Sequence, residues 1–232
     1  MTQPAPSFKD SKELGNATIY VLLVVALFAA LSFILARQND GGESDRLSDD
    51  KAAIIANQVL AYPLQVRQAL DMMIMSGESV SDLQFMLPGE VGFDNPSDSP
   101  APQVFHPEGG GLILPHIPAN GLQPGISNPD AGWYLGRFNN VAWTPSAMTD
   151  VLLVAWGISQ PLCAAINETL TGSTAIPALS NTVPNIFIDE DRHGGTNVLE
   201  FDASLCAACE DVPALCVTNS GDYGFYTIIT AR

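Results

Sequence analysis

ATIYVLLVVALFAALSFILA, residues Ala17 to Ala36, runs for twenty positions without a charge. As a helix it would be about 30 Å long, roughly the hydrocarbon thickness of a bilayer. It contains no Gly or Pro, and its polar groups are only Thr18, Tyr20 and Ser32. A buried core helix normally keeps a polar stripe, which this stretch lacks. The length and continuity predict a membrane-spanning helix, and no other segment of the chain reads as one. A cleaved secretory signal fits poorly. The apolar run exceeds the usual signal core, and no small-x-small cleavage site follows it.

The remainder is acidic and turn-rich. Of the 232 residues, 25 are Asp or Glu and 9 are Lys or Arg. Beyond Arg67 there are eighteen acids against Arg137, Arg192 and Arg232. Such a surface repels phosphate backbones, which argues against nucleic-acid partners. The 17 Pro and 19 Gly concentrate between Pro88 and Pro145 and imply many turns there. Cys163, Cys206, Cys209 and Cys216 all lie on the distal side of the apolar helix. An even count there suits an oxidising compartment, with three disulfide pairings open. Lys and Arg flank both ends of the helix among acids, so they set no orientation. The cysteines and the short N-terminal tail favour an exported C-terminal part.

Before the helix stands a short polar leader, MTQPAPSFKDSKELG, ending at Gly15. This arrangement resembles the class III signal of type IV pilins and pseudopilins. In that family a prepilin peptidase cuts after such a glycine on the cytoplasmic side, and the apolar helix stays on the mature protein. The resemblance makes Gly15 the last leader residue and Asn16 the new N-terminus. The family's usual Glu at the fifth mature position is Tyr20 here, and its usual aromatic first residue is Asn16. That departure points to a minor or tip subunit. From Cys163 onward the chain is also similar to minor pilins, with a C-x-x-I-N helix, then Ile176-Pro177, further cysteines and an aromatic final strand.

Elsewhere the pattern is read from spacing. Ser48 or Asp49 is a candidate cap for a helix from about Asp50 to Met75. Its apolar face is Leu47, Ile54, Ile55, Val59, Tyr62, Val66, Leu70 and Met73, with a kink expected at Pro63 and an end at Ser76-Gly77. Ser79 to Leu87 reads as a short helix and Pro88 to Asn128 as loop. Within that loop the triple glycine Gly109–Gly111 reads as a flexible surface turn, since it lacks phosphate-loop spacing. Trp133 to Trp143 reads as a hairpin turning at Asn139-Asn140, and Asp150 to Gly157 as a buried strand. Pro161 to Leu170 reads as a helix. Ile186 to Ile188, Val198 to Phe201 and Tyr223 to Thr230 read as strands.

Catalytic chemistry has little support. His106 and His116 lie in the Pro/Gly-rich loop and His193 in an acidic turn, and no nucleophile elbow is present. Cys206-Ala-Ala-Cys209 is compatible with a redox pair, with part of a four-cysteine zinc site, or with structural disulfides. An exported domain favours disulfides, and Asp202, Glu210 and Asp211 would raise a thiol pKa rather than lower it. DEDRHGGTNVLE, Asp189 to Glu200, places Asp189, Asp191, Asn197 and Glu200 at the first, third, ninth and twelfth positions of a calcium loop. His193 at the fifth position is a poor ligand for a hard cation. A solvated acidic turn is the alternative.

The sequence therefore predicts an α+β protein: a long N-terminal membrane and amphipathic helix, then a globular head with an antiparallel sheet. Residues 1–15 are the leader, 16–36 the transmembrane helix, 37–78 a linker and amphipathic helix, and 79–232 the exported head. The implied role is non-enzymatic, as a pilin-like subunit of a type IV pilus or type II secretion-like filament. Its partners would be other pilin-like subunits through the N-terminal helix, the inner-membrane assembly platform and the prepilin peptidase. Its place would be the inner membrane, single-pass, with the head in the periplasm or an extracellular filament. Calcium is the one cofactor suggested. The alternative is a membrane-anchored exported binding module that never polymerises.

Overall fold

The computed structural model describes residues 20–29, 42–93, 95, 98–188 and 200–231, with 42–49 described by backbone alone. The chain separates into two units, 1–47 and 48–232. In the first, residues 20–29 form a helix, α1, whose side chains are exposed. Among the described residues no helix is long and apolar enough to cross a membrane. The rest of the apolar stretch, the leader, Gly15 and Asn16 lie outside the described residues.

Helix α2 spans Gly42–Met75, 34 residues. It begins eight positions before the predicted start, with Ser48 and Asp49 inside it rather than capping it. No Gly or Pro follows Gly42 until Pro63, so nothing local stops the helix from extending back to Gly42. Ile55, Val59, Tyr62, Val66, Leu70 and Met73 are buried on one face, joined by Ala52, Ala56 and Ala69. Ile54 is a correction to the predicted stripe, being 61% exposed. Neighbours on a helix diverge by about 100°, so Ile54 and Ile55 cannot both face inward. Ile55 keeps the three- and four-residue steps to Val59 and Tyr62. The helix stops where expected: Glu78 N–H reaches Met73 O (3.1 Å) and Gly77 N–H reaches Ile74 O (3.0 Å), with Gly77 at φ +109°. Only glycine takes that left-handed cap without strain.

The head is built on four antiparallel strands, β1 (Gly132–Asn139), β2 (Asp150–Trp156), β3 (Ala214–Asn219) and β4 (Asp222–Thr230), in the order β1-β2-β4-β3. The fold is thus α+β, as predicted. Strand β2 is central and buried throughout. Alternation sends its side chains to two cores. Val151, Leu153 and Ala155 meet Trp133, Phe225, the α2 stripe and helix α3 (Gln160–Thr171). Leu152, Val154 and Trp156 meet Tyr226, helix α4 (Val183–Phe187) and Phe201. Tyr62 packs its ring 4.9 Å from Trp133, and Arg67 Nη2 donates to Ile228 O at 2.8 Å, tying α2 to the sheet.

Three readings are corrected. Trp133–Trp143 is not a hairpin; β1 pairs with β2 instead, across residues 140–149. The buried Asp150 carboxylate organises that connection by accepting from Val141 N (3.1 Å), Thr144 Oγ1 (2.9 Å) and Ser146 Oγ (3.0 Å). Ile186 lies in α4 rather than a strand. Thr182 Oγ1 accepts from Asn185 N at the helix start, and Val183, Ile186 and Phe187 fall on one helical face. Of the predicted strand Val198–Phe201, Val198 and Leu199 lie outside the described residues, and Phe201 forms a bridge with Val141. Ser79–Leu87 forms turns and a bridge from Gln84 to Gln103, not a helix. Strand β3 went unread. It turns into β4 through Ser220 (φ +54°) and Gly221 (φ +93°), the two left-handed residues of a tight hairpin.

Helix α3 grips β3 at one residue. Cys163 forms a disulfide with Cys216. One turn along, the buried Asn167 accepts from Cys216 N (2.8 Å) and donates to Cys216 O (2.8 Å) and Ala175 O (2.9 Å). Asn167→Ala strands both backbone groups of Cys216 in the core. We expect a loss of about 3 kcal/mol in denaturant unfolding, since each buried unpaired group costs roughly 1–3 kcal/mol. A loss below about 1 kcal/mol would contradict the arrangement.

Burial pushes the phenol pKa of both Tyr62 and Tyr226 well above 10.0. A raised folded-state pKa makes a contribution that is fully present below the unfolded value and lost as pH rises through the folded one. Alkaline titration at 295 nm should therefore show a cooperative step in which Tyr62 and Tyr226 ionise with unfolding. Tyr62→Phe should remove one of them. It should cost no more than about 1 kcal/mol, because the Tyr62 hydroxyl has no hydrogen-bond partner among the described residues. A gradual titration without a cooperative step would refute this.

Candidate functional site

The Pro/Gly-rich stretch after α2 is more ordered than its composition suggests. Val104 N–H donates to Gln84 O (2.8 Å), Leu112 N–H to Val104 O (3.1 Å) and Gly110 N–H to Gln103 O (3.0 Å). The reading of Gly109–Gly111 as a flexible surface turn is corrected at Gly109 and Gly110, while Gly111 is exposed. A Cβ on Gly109 would sit 2.1 Å from Gln103 O, and one on Gly110 would sit 2.4 Å from Val104 O and 2.8 Å from Met73 Sδ. These glycines are places where backbone folds directly onto backbone.

That wrapping makes two adjoining concavities. Residues of the segment 103–108 divide between them. Phe105 and Pro107 face an apolar groove of about 550 Å³, walled also by Leu87, Phe93 and Leu112. Ile113 stands on its wall, 81% exposed. Gln103, His106 and Glu108 face a polar basin of about 300 Å³ that also takes in Asp98 and Asn95. Phe93 belongs to both. The His106 ring lies 5.4 Å from the Phe93 ring, and its Nδ1 accepts from Glu108 N (3.1 Å). Asn95 Nδ2 donates to Asp98 Oδ2 at 2.7 Å. Gln103 is 1% exposed, and its Oε1 has no hydrogen-bond partner among the described residues. The groups gathered here are aromatic rings and oxygen acceptors, a set suited to binding. Sequence reasoning passed over the basin because its residues were read as loop. The only local signal was the run of glycines beside Phe105 and His106.

The residues singled out in the sequence do not converge there. Cys206 and Cys209 form a second disulfide around a short 3-10 turn, Ala207–Cys209, and both are buried. With all four sulfurs in disulfides there is no thiolate to ligate zinc. Nearby, Asp202 Oδ1 accepts from Ser204 Oγ, Ser204 N and Leu205 N. The Ser204 hydroxyl first, and those backbone amides with it, hold the Asp202 carboxyl below its usual range. Asp189, Asp191, His193 and Asn197 lie outside the described residues. Glu200 is exposed and accepts from Asn140 Nδ2 at 2.7 Å. Among the described residues no three His, Cys, Asp or Glu side chains gather as a metal site. His116 is exposed.

If Gly110 exists for close packing, Gly110→Ala should destabilise the chain by about 2 kcal/mol, the usual cost of overpacking, while Glu108→Ala stays within about 0.5 kcal/mol. Thermal unfolding compares the two, and equal midpoints would refute the packing role. No protein family, curated protein or solved structure matches the chain.

Proposed function

We propose that this chain is a pilin-like subunit, minor or tip, of a type IV pilus or type II secretion-like envelope filament. In this reading residues 16–36 anchor it in the inner membrane, and the head projects into the periplasm or the filament exterior. The observation that carries the reading is the two-sided character of α2. One face is buried on the sheet of the head. The other leaves Ile54, Ala61 and Leu64 exposed, and no charged residue occurs between Lys51 and Arg67. An uncharged helix face beside an acidic head is suited to packing against other helices, because no desolvated charge opposes it. The apolar run before it and the Gly15 leader support the same layout. The role is mechanical: apolar helices of many subunits bundle, and the heads form the outer surface.

A second reading, a membrane-anchored exported binding module, is favoured by the groove and basin beside Phe93.

Processing separates the two. Bundling would press a polar leader that includes Lys9, Asp10, Lys12 and Glu13 against neighbouring helices. Burying such groups unpaired costs several kcal/mol each, so the leader must be removed before assembly. Mass spectrometry of protein extracted from its native envelope should show Asn16 as the first residue, and Gly15→Leu should leave the full-length mass in the membrane. Wild-type protein still beginning at Met1 or Thr2 would sink the filament reading in favour of the anchored module.

A further inference from the structure

Asn167-Glu168-Thr169 is an N-x-T triplet, the acceptor pattern for an N-linked sugar in an exported chain. The only other such triplet without a central Pro is Asn16-Ala17-Thr18, at the start of the apolar run. A sugar is joined to the side-chain nitrogen Nδ2, so transfer needs that atom free and within reach. In the folded head it is neither. Asn167 is fully buried, and Nδ2 commits both of its protons, to Ala175 O (2.9 Å) and Cys216 O (2.8 Å). The triplet is also locked into α3, where Thr169 Oγ1 donates to Ala165 O at 2.9 Å. What holds the amide is distant in sequence. Ala175 is 8 residues away and Cys216 is 49. Before β3 docks on α3, nothing engages Nδ2 and the triplet is accessible.

We propose that Asn167 is a fold-dependent modification site, an acceptor for an N-linked oligosaccharide that is open in the newly exported chain and closed once the head has folded. The donor is an oligosaccharide carried on a lipid pyrophosphate. The bond from sugar C1 to the pyrophosphate oxygen breaks, a bond from C1 to Asn167 Nδ2 forms, and the displaced Nδ2 proton goes to a base of the transferase. No oxidation or reduction is involved. The product keeps one proton on Nδ2 where two are needed, and it places a sugar where α3 meets β3. Cys216 then loses its partner, and Cys163 is held away from it. Closing the Cys163–Cys216 disulfide first has the opposite effect and shuts the site. The same amide is thus either a sugar acceptor or the edge partner of a strand, and the order of events decides which. The inference rests on export of the head, which the filament and anchored-module readings share. Its failure leaves the processing of Gly15 untouched.

The test treats the full-length protein with a purified single-subunit oligosaccharyltransferase and its lipid-linked oligosaccharide, and reads occupancy at Asn167 by glycopeptide mass spectrometry. One sample is disulfide-bonded. The other is reduced and carboxymethylated in denaturant and then returned to buffer; charges at Cys163 and Cys216, which the core cannot bury unpaired, keep it open. The open chain should be modified at Asn167. The disulfide-bonded chain should be modified roughly a hundredfold less, because only a small fraction of a folded protein is unfolded at any moment. Thr169→Ala removes the acceptor pattern from the exposed side of α3. It should abolish modification of the open chain and leave the unfolding midpoint of the disulfide-bonded protein at the wild-type value. A chain modified while reduced but not alkylated, then placed in glutathione redox buffer, should fail to form the Cys163–Cys216 bond that the unmodified chain recovers. Equal occupancy in the two samples, no sugar on Asn167 of the open chain, or a modified chain that re-forms Cys163–Cys216 with the wild-type midpoint would each overturn the proposal.

Discussion

The head depends on the attachment of α3 to an edge strand. Strand β3 has β4 on one side only, so its outer backbone groups need partners from elsewhere. Asn167 supplies those of Cys216, while Thr218 N–H donates to Pro177 O (2.9 Å) and Thr218 O accepts from Leu179 N–H (2.8 Å). The Asn167 side-chain amide has the same donor and acceptor pair as a peptide group, and it pairs with both backbone groups of Cys216 as a neighbouring strand would. Cys163, four residues earlier and so on the same helical face, bonds covalently to the same residue. By the chain-entropy account, closing a separation of 53 residues stabilises by roughly 4 kcal/mol, against about 2 kcal/mol for the three-residue separation of Cys206 and Cys209. Without this grip β3 would lose its edge partner at Cys216, and α3 would lose its covalent and hydrogen-bonded link to the sheet, leaving the packing of Leu162 and Ile166.

Once the sheet is held, its two faces are filled by different means. The first is covered by two regular helices, α2 and α3, whose apolar stripes match the pleat. The second is covered by short pieces, α4 and the segment around Phe201, knit by aromatic packing. Phe187 stacks on Tyr226 at 4.8 Å, and Phe201 meets Phe187 edge-on at 4.7 Å. The division leaves two surfaces uncovered, the outer face of α2 and the groove and basin beside Phe93. They suit different duties. The first is helical and carries no charge between Lys51 and Arg67, which favours packing against another helix. The second is concave and lined with acceptors, which favours a single docked group.

Legibility in the sequence follows how local each determinant is. The α2 stripe, the apolar run of β2, the proline-started α3 and the aromatic β4 were all readable, because period and propensity agree with burial there. The α4 segment was misread since Val183, Ile186 and Ile188 are strong β-formers. Their spacing with Phe187 fits a helix, and the Thr182 cap with Pro184 in the first turn decided the matter. The Asn139-Asn140 turn was overridden by a residue ten positions away, the buried Asp150. Strand β3 went unseen although Ser220-Gly221 is a fair hairpin signal, because the cysteines drew the reading of that stretch toward pairing and away from its alternation. The basin was illegible for a stronger reason. Gln103, His106 and Glu108 acquire meaning only when Gly109 and Gly110 let the backbone fold onto itself, and that contact has no periodic signature.

The most direct measurement of this account is peptide mapping of the non-reduced protein by mass spectrometry. The arrangement requires one linked pair joining the Cys163 peptide to the Cys216 peptide, and a closed Cys206–Cys209 ring within a single peptide. Cys163 found linked to Cys206 or Cys209, or recovered as a free thiol from protein taken out of its native compartment, would contradict it.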